Sequence, residues 1–186
     1  PTSVPETGGN VTFTFLVENI GVEDVELTSL TDSVFEDLNG QGTCATGGII
    51  AAGGSYSCSI TVFLSADDLV AHTNVVTAVG TDDDGTTDEA TDDETVTFDN
   101  VLPDIQITKS ASPSSVPETG GDVTFTFLVE NIGTEGVTLT SLNDTVFGDL
   151  NGKGDCVTGG WIPAGDSYSC SFTVFLASDT LTDHYD

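Results

Sequence analysis

Carboxylates are the most numerous groups in this sequence that could do chemistry. Its 186 residues include 31 Asp and Glu but only two Lys and Arg, and the formal net charge is −29. Calcium takes six to eight oxygen ligands and tolerates irregular geometry, so dense carboxylates suit it. The stretch at residues 81–104 supplies the candidate ligands Asp82, Asp84, Asp88, Asp92 and Asp93. The alternative for this stretch is a charged, solvated turn between two strands, because Asp84-Gly85 is a hairpin signal.

A second group of acidic and amide side chains occurs twice along the chain. Its members are Asp32, Asp37 and Asn39, and later Asp144, Asp149 and Asn151. Their oxygens would also suit calcium, but each group ends on an Asn-Gly pair, which is a common turn. A hydrogen-bonded loop is therefore an equal alternative here. Because divalent ions would also relieve the repulsion among so many negative charges, calcium is the cofactor that the sequence predicts.

The sequence contains no pattern that indicates catalysis. His72 and His184 occupy one position of an internal repeat, and neither belongs to a G-x-S-x-G or H-E-x-x-H motif. The basic residues Lys109 and Lys153 cannot form the patch that a nucleic acid requires. No apolar run approaches the roughly 20 residues of a membrane-spanning helix. We therefore expect no enzyme, no nucleic-acid partner and no membrane insertion of this segment.

An internal repeat organises the chain. The letters VPETGG occupy residues 4–9 and again residues 116–121, an offset of 112 residues (116 minus 4), and the alignment at this offset needs no gap. A repeat of this length is typical of one immunoglobulin-sized domain. We expect one repeat at residues 1–100, an acidic linker at residues 101–104 and a second repeat at residues 105–186.

Each repeat lacks a segment that the other has. The first has no counterpart of residues 105–115, and the second has no counterpart of residues 75–102. A slice cut from a longer array is the interpretation we favour, because a period that continues past both ends explains both absences. The alternative is that neighbouring chains supply the missing strands to unpaired sheet edges.

Alternation of apolar and polar residues predicts β-strands in both repeats. In residues 11–17 every second side chain is Val or Phe, and only Leu16 breaks the alternation. No segment indicates a long helix. Further strands are expected to begin at Val25 and to occupy residues 56–64, 73–80, 94–98 and 105–109. We predict an all-β fold of tandem Ig-like antiparallel β-sandwich domains.

Four motifs cover most of the chain: VPETGGDVTFTFLVENIG, D-x-V-F-x-D-L-N-G-x-G-x-C, GSYSC and TDDDGTTDEATDDETVTF. Together they resemble the Ig-like repeats of unknown function that occur in tandem on large bacterial cell-surface and secreted proteins. This resemblance implies a β-sandwich in an extracellular structural or adhesive setting, and it implies no catalytic residues. A looser similarity to cadherin-type repeats rests on Pro5-Glu6 and the acidic segment at residues 98–104.

In such an extracellular setting the four cysteines are expected to form disulfides. Cys44 with Cys58 and Cys156 with Cys170 are equivalent pairs in the two repeats. A zinc site is the alternative, but zinc thiolates normally occur in close pairs and C-x-x-C is absent. Each bridge would staple a glycine-rich loop onto the sandwich.

These features predict a structural protein, the repeat unit of an extracellular filament, stalk or surface layer. Its expected partner is itself, in a head-to-tail homopolymer or a tandem array at the cell surface. The alternative is an adhesin, a binding module that recognises a glycan or protein on another cell. Trp161, which replaces Ile49 on the bridged loop, is the interface candidate because aromatic side chains are favoured anchors. An accessory domain of a secreted hydrolase is a third alternative.

Overall fold

The computed structural model describes residues 1–178 and confirms the all-β prediction. The chain divides into two compact units, Pro1–Asn100 and a second that begins at Val101. The expected second repeat extends to residue 186, and residues 179–186, with His184, lie outside the described part. Within that part, no helix has the length and apolar character needed to cross a membrane.

Two sheets form the first unit. Its strands are β1 (Ser3–Pro5), β2 (Gly9–Glu18), β3 (Val25–Asp32), β4 (Glu36–Asp37), β5 (Ile49–Ile50), β6 (Ser55–Leu64), β7 (His72–Thr81) and β8 (Thr87–Asp99). One sheet has the order β1-β8-β7-β3-β4, and β5 also pairs with β3. The other sheet consists of β2 and β6. All of these pairs are antiparallel except β1 with β8.

The core of the first unit lies between these sheets. Strand β2 buries Val11, Phe13 and Phe15, as the alternation predicts. Leu30 of β3 and Val96 of β8 belong to the same cluster from the opposite sheet. Burying an apolar side chain of this size contributes about 1.5–3 kcal/mol. A single core made by two facing sheets is the arrangement of a β-sandwich.

The acidic stretch of the first unit is a turn followed by a long strand. The Asp82 N–H donates to the Thr86 carbonyl oxygen at 2.9 Å, and Gly85 has a φ of +83° that favours glycine. This confirms the hairpin signal at Asp84-Gly85. Strand β8 then runs through the carboxylates from Thr87 to Asp99, whereas the sequence predicted only its end at residues 94–98.

The second unit has the same central strands with different neighbours. Its strands are β9 (Ile105–Ser112), β10 (Gly121–Asn131), β11 (Val137–Thr138), β12 (Asn143–Asp144), β13 (Gly148–Asp149), β14 (Trp161–Ile162) and β15 (Ser167–Leu176). Strand β10 lies between β15 and β9, while β11 pairs with β14 and β12 pairs with β13. The predicted strand at residues 105–109 therefore extends to Ser112.

Strands β2 and β10 carry one sequence but differ at one edge. Residues 11–19 and 123–131 both read VTFTFLVEN. Strand β10 pairs with β15 on one side and with β9 on the other. Strand β2 pairs with β6, the counterpart of β15, and its other edge pairs with no strand among the described residues. Residues 113–121, which follow β9, correspond to residues 1–9, so the segment equivalent to β9 falls outside residues 1–186 in the first repeat.

Candidate functional site

Both predicted disulfides are confirmed. Cys44 is bonded to Cys58 and Cys156 to Cys170, with a Cα–Cα distance of 4.9 Å and a sequence separation of 14 in each case. All four cysteines are buried. Closing a loop of this length stabilises the folded state by about 3 kcal/mol in the chain-entropy account. Each bridge ties a loop to the long strand that follows it, β6 or β15.

The bridged loop is held at further points. The Tyr56 hydroxyl oxygen accepts a hydrogen bond from the Ala45 N–H at 2.7 Å. Tyr168 does the same for the Val157 N–H at 2.7 Å in the second unit. At Gly42, where φ is +54°, a Cβ atom would lie 2.2 Å from the carbonyl oxygen of Ser59. The loop therefore lies directly against β6, and only glycine fits that approach.

The side chains of Asp37 and Asn39 hold the loop backbone. Asp37 Oδ1 accepts the Asn39 N–H at 3.0 Å, and Asn39 Oδ1 accepts the Thr46 N–H at 3.1 Å. The second unit repeats both bonds at the same distances, through Asp149, Asn151 and Thr158. These contacts are those of a hydrogen-bonded loop, the alternative to calcium ligation at these positions.

Asp144 forms an ion pair with Lys109 of β9. Its Oδ1 accepts the backbone N–H groups of Val146 and Phe147 at 2.9 and 3.1 Å. Its Oδ2 accepts a hydrogen bond from Lys109 Nζ at 2.5 Å, and that ammonium lies 4.9 Å from the ring centre of Phe125. The bond from Lys109, followed by the two backbone bonds, lowers the pKa of Asp144 from 3.8 to about 2.

Replacing Lys109 with Met is expected to raise the pKa of Asp144 from about 2 toward its ordinary 3.8. A carboxyl whose folded pKa is depressed adds stability above its unfolded pKa, and this stability is lost as the pH falls through the folded value. The variant should thus be less stable than the parent at pH 7, and the difference should shrink as the pH falls to about 2. Carboxyl NMR titration and denaturant unfolding at both pH values measure these effects. The matched control is Lys153→Met, and an equal shift in that control would contradict the assignment.

Asp32, the counterpart of Asp144, has a different partner. It is buried, and its Oδ1 accepts the Val34 and Phe35 N–H groups at 2.8 and 3.0 Å. Its Oδ2 accepts a hydrogen bond from Asn74 Nδ2 of β7. The first unit contains no Lys or Arg at all. A buried carboxylate in this unit therefore has an amide where the second unit has an ammonium.

Two more polar atoms lie buried near Asp32 on the same face of β7. Asn74 Oδ1 and His72 Nε2 are buried and have no hydrogen-bond partner among the described residues. Asn74 is only 3% exposed. The His72 ring stacks on Phe35 with 5.6 Å between ring centres. Burying polar atoms without partners costs free energy, so this group is a candidate for a further contact.

The calcium ligands predicted in the hairpin of β7 and β8 lie at different points along its length. Asp82 Oδ1 caps the turn, where it accepts the Asp84 and Thr86 N–H groups at 3.1 and 2.7 Å. Asp88, Asp92 and Asp93 are exposed along β8. At about 3.3 Å per residue, Asp88 and Asp92 are about 13 Å apart along the strand. These five carboxylates are therefore spread over the hairpin rather than gathered at one point.

One cluster of potential ligand atoms does occur, at Asp155, Cys156 and Cys170. It is the only group of three His, Cys, Asp or Glu side chains in residues 1–178 whose ligand atoms lie within 4.8 Å of one another. Its two sulfurs already form a disulfide, so they are not thiolates. The predicted calcium ligands are not part of it.

Trp161 combines an exposed face with a packed one. It is 65% exposed at the start of β14, yet a Cβ atom at Gly136 would lie only 2.0 Å from its ring. In the first unit the corresponding positions are Ile49 and Asp24. The tryptophan and the glycine beneath it therefore differ between the repeats as a pair, which is the sequence signal for this contact.

A buried asparagine at the end of β2 and β10 is a structural residue that sequence analysis missed. Asn131 is 1% exposed, and its Nδ2 donates to the carbonyl oxygens of Glu135 at 2.6 Å and Ile162 at 3.1 Å. Its Oδ1 accepts the Gly133 N–H at 3.1 Å. Asn19 makes the equivalent contacts in the first unit. The available signal was an Asn-Ile-Gly triplet, which begins just after β2 and at the last residue of β10.

The two units share their bridges, loop hydrogen bonds and buried asparagines, so each serves as an internal reference for the other. They differ in their outer strands, since β7 and β8 occur in the first unit and β9 in the second, and in the partner of Asp32 or Asp144. No protein-family profile matches the chain, and no curated protein is significantly similar to it.

Proposed function

We propose that this chain is part of an extracellular structural array, a filament, stalk or surface layer built from tandem Ig-like β-sandwich repeats. The observation that carries the proposal is the same buried disulfide at equivalent positions of two repeated units. Disulfides persist in oxidising compartments such as the cell exterior. The resemblance to Ig-like repeats of bacterial surface proteins supports the same setting.

The design of the units also suits a structural role. Each bridged loop is tied down by a disulfide, a tyrosine hydroxyl and side-chain hydrogen bonds, and the second unit repeats the arrangement of the first. Such loops resist local opening because several contacts must break together. Repeats of one geometry that associate head-to-tail produce a filament when the contact does not close into a ring.

Electron microscopy of the native material tests this proposal. We expect filaments or a layer with an axial repeat near one domain length, about 40 Å for an extended sandwich. The same images of reduced material serve as the control, since the array should lose order when its bridges are cut. A monodisperse, globular monomer of the full-length native protein would contradict the structural role and favour the adhesin or accessory-domain alternative.

Calcium belongs to the same proposal. The exposed carboxylates of β8 and its turn repel one another, and an ion that binds the folded chain stabilises it by mass action. Calcium is therefore expected to raise the melting temperature relative to chelator at matched ionic strength. Sodium chloride is the control, because an equal effect from a monovalent salt would reduce the interaction to screening. No change with calcium would count against any specific site.

A second candidate function is an adhesin, and the exposure of Trp161 is the observation that favours it. A large exposed aromatic on a rigid loop is a suitable anchor for a protein or glycan surface. The substitution Trp161→Ile is a conservative test, because the first unit has isoleucine at the corresponding position 49. Loss of attachment to a target cell with unchanged filaments would assign adhesion to this loop.

A further inference from the structure

Lys109 and Asp144 place an amine next to a carboxyl carbon. Lys109 Nζ lies 2.5 Å from Asp144 Oδ2. Because a carboxyl C–O bond is about 1.2 Å long, Nζ is no more than about 3.7 Å from Cγ of Asp144. Reacting atoms in a near-attack geometry are about 3–3.5 Å apart. Within residues 1–178 this is the only ion pair, so Lys153 is not placed against a carboxylate there.

The two oxygens of the Asp144 carboxyl have different partners, as the two oxygens of a reacting acyl group do. Oδ1 accepts the backbone N–H groups of Val146 and Phe147 at 2.9 and 3.1 Å. Paired backbone donors at this distance stabilise the negative charge that develops on an oxygen in a tetrahedral intermediate. Oδ2 faces the lysine, and it is the oxygen that can leave. The segment after Asp144 therefore forms an oxyanion hole next to the amine.

Aromatic rings surround the amine. The ring centres of Phe125, Phe127 and Phe147 lie 4.9, 5.7 and 5.6 Å from Lys109 Nζ. The Asp144 side chain is only 6% exposed, whereas that of Lys109 is 41% exposed. Holding the two groups in one geometry replaces a collision in solution, and the rings keep bulk water from the carboxyl carbon. Because amide formation releases water, a site that excludes water favours it.

We propose that Lys109 and Asp144 condense to an amide, an isopeptide bond that joins β9 to β12. A proton first passes from Nζ to Oδ2 along their hydrogen bond, which leaves a neutral amine and a neutral carboxyl. Nζ then attacks Cγ, and the C–N bond forms as the Cγ–Oδ2 bond breaks. Oδ2 takes a second proton from the nitrogen and leaves as water, while Oδ1 stays as the amide carbonyl oxygen. One ammonium and one carboxylate thus give one neutral amide and one water, so no other reactant is needed.

The first unit shows what the reaction requires. Asp32 has the same two backbone bonds to Oδ1, but its Oδ2 accepts a hydrogen bond from the amide of Asn74, which is not a nucleophile. We therefore expect one isopeptide bond in this chain. Strands β9 and β12 belong to different sheets, so the bond connects two sheets covalently at a point separate from the disulfide. This inference does not depend on the proposed extracellular role.

The mass of the full chain tests the proposal. The chain is folded, then fully reduced and denatured, and its intact mass is measured. We expect a mass lower by one water than the sequence requires. Digestion with a protease specific for acidic residues should then release a branched peptide in which the segment around Lys109 is linked to Asp144. An intact mass equal to that of the sequence, in a chain that has formed both disulfides, would overturn the proposal.

Two lysine variants locate the lost water. Lys109→Arg keeps a cation beside Asp144 but replaces the amine with a guanidinium that is not deprotonated, so its mass should equal that of its sequence. Lys153→Arg is the matched control and should still lose one water. Both disulfides should form in each variant, which verifies folding. A water lost from the Lys109→Arg variant as well would place the dehydration elsewhere, such as at Asp84-Gly85, and would overturn the assignment.

The titration of Asp144 is a second readout. Its pKa of about 2 belongs to the ion pair, which is the state before the bond forms. A chain refolded from denaturant before any bond has formed should show this pKa at first. The Asp144 carboxyl signal in the NMR spectrum should then disappear in step with the loss of mass, because the amide has no carboxyl to titrate. A loss of mass with an unchanged Asp144 signal would overturn the proposal.

Discussion

Loss of the Cys156–Cys170 disulfide is expected to lower the free energy of unfolding of the second unit by about 3 kcal/mol. The double variant Cys156→Ala/Cys170→Ala frees the loop in the unfolded chain and leaves the folded contacts of Tyr168 nearly intact. Trp161 is the only tryptophan of the chain and lies within the bridged loop, so its fluorescence reports this unit during denaturant unfolding.

The control for the disulfide is Ser169→Ala on the exposed face of the same strand. Surface substitutions of this kind usually change stability by less than about 0.5 kcal/mol. Non-reducing mass analysis of the parent should show one bridge inside each unit. Free thiols, a bridge between the units, or a double variant as stable as the parent would each refute the role given to the disulfide.

Removing the Asn131 side chain is expected to have a comparable effect, about 2–4 kcal/mol for Asn131→Ala. The substitution removes the Nδ2 donor from the buried Ile162 carbonyl oxygen and from the Glu135 and Pro163 carbonyl oxygens, and it removes one of the two acceptors of the Gly133 N–H, which also donates to the Asp104 carbonyl oxygen. Buried polar groups that lose their partners cost more than the net value of the bonds, which is why one amide matters this much. Denaturant unfolding followed through Trp161 measures the change.

Two further variants sharpen this result. Asn131→Asp retains an oxygen for the Gly133 N–H but cannot donate to these carbonyl oxygens, so at pH 7 it should lose at least as much stability as the alanine variant. Asn143→Ala, at an exposed position of the same unit, is the matched control and should be close to neutral. An alanine variant at position 131 that unfolds like the parent would show that water replaces the amide.

Strand β8 shows where the pattern of the sequence is insufficient. Alternation located β2 because one of its faces is buried, with Val11, Phe13 and Phe15 pointing inward. Most of β8 is exposed on both faces, so its carboxylates and threonines leave no period of two in hydrophobicity. Strand β8 stays extended because it pairs residue by residue with β7, from Val96 opposite His72 to Thr87 opposite Thr81.

The sequence likewise could not predict which groups the charged residues contact. Lys109 could have paired with any of the 31 carboxylates, and only the register of β9 on β10 places it beside Asp144. Asp32 meets Asn74 because β3 and β7 are neighbours in one sheet. Both contacts join residues more than thirty positions apart, and no local pattern encodes such distances.

The sequence by itself determined the repeat, the all-β class, the hairpin turn and both disulfides, because each leaves a local signal or recurs at one offset. Tertiary structure alone decided which strand lies beside which. Strand β1 pairs in parallel with β8, with Ser3 opposite Thr97, although the two strands are far apart in the sequence. Ladder hydrogen bonds join backbone groups that every residue carries, so the side chains do not record which strand will be the neighbour.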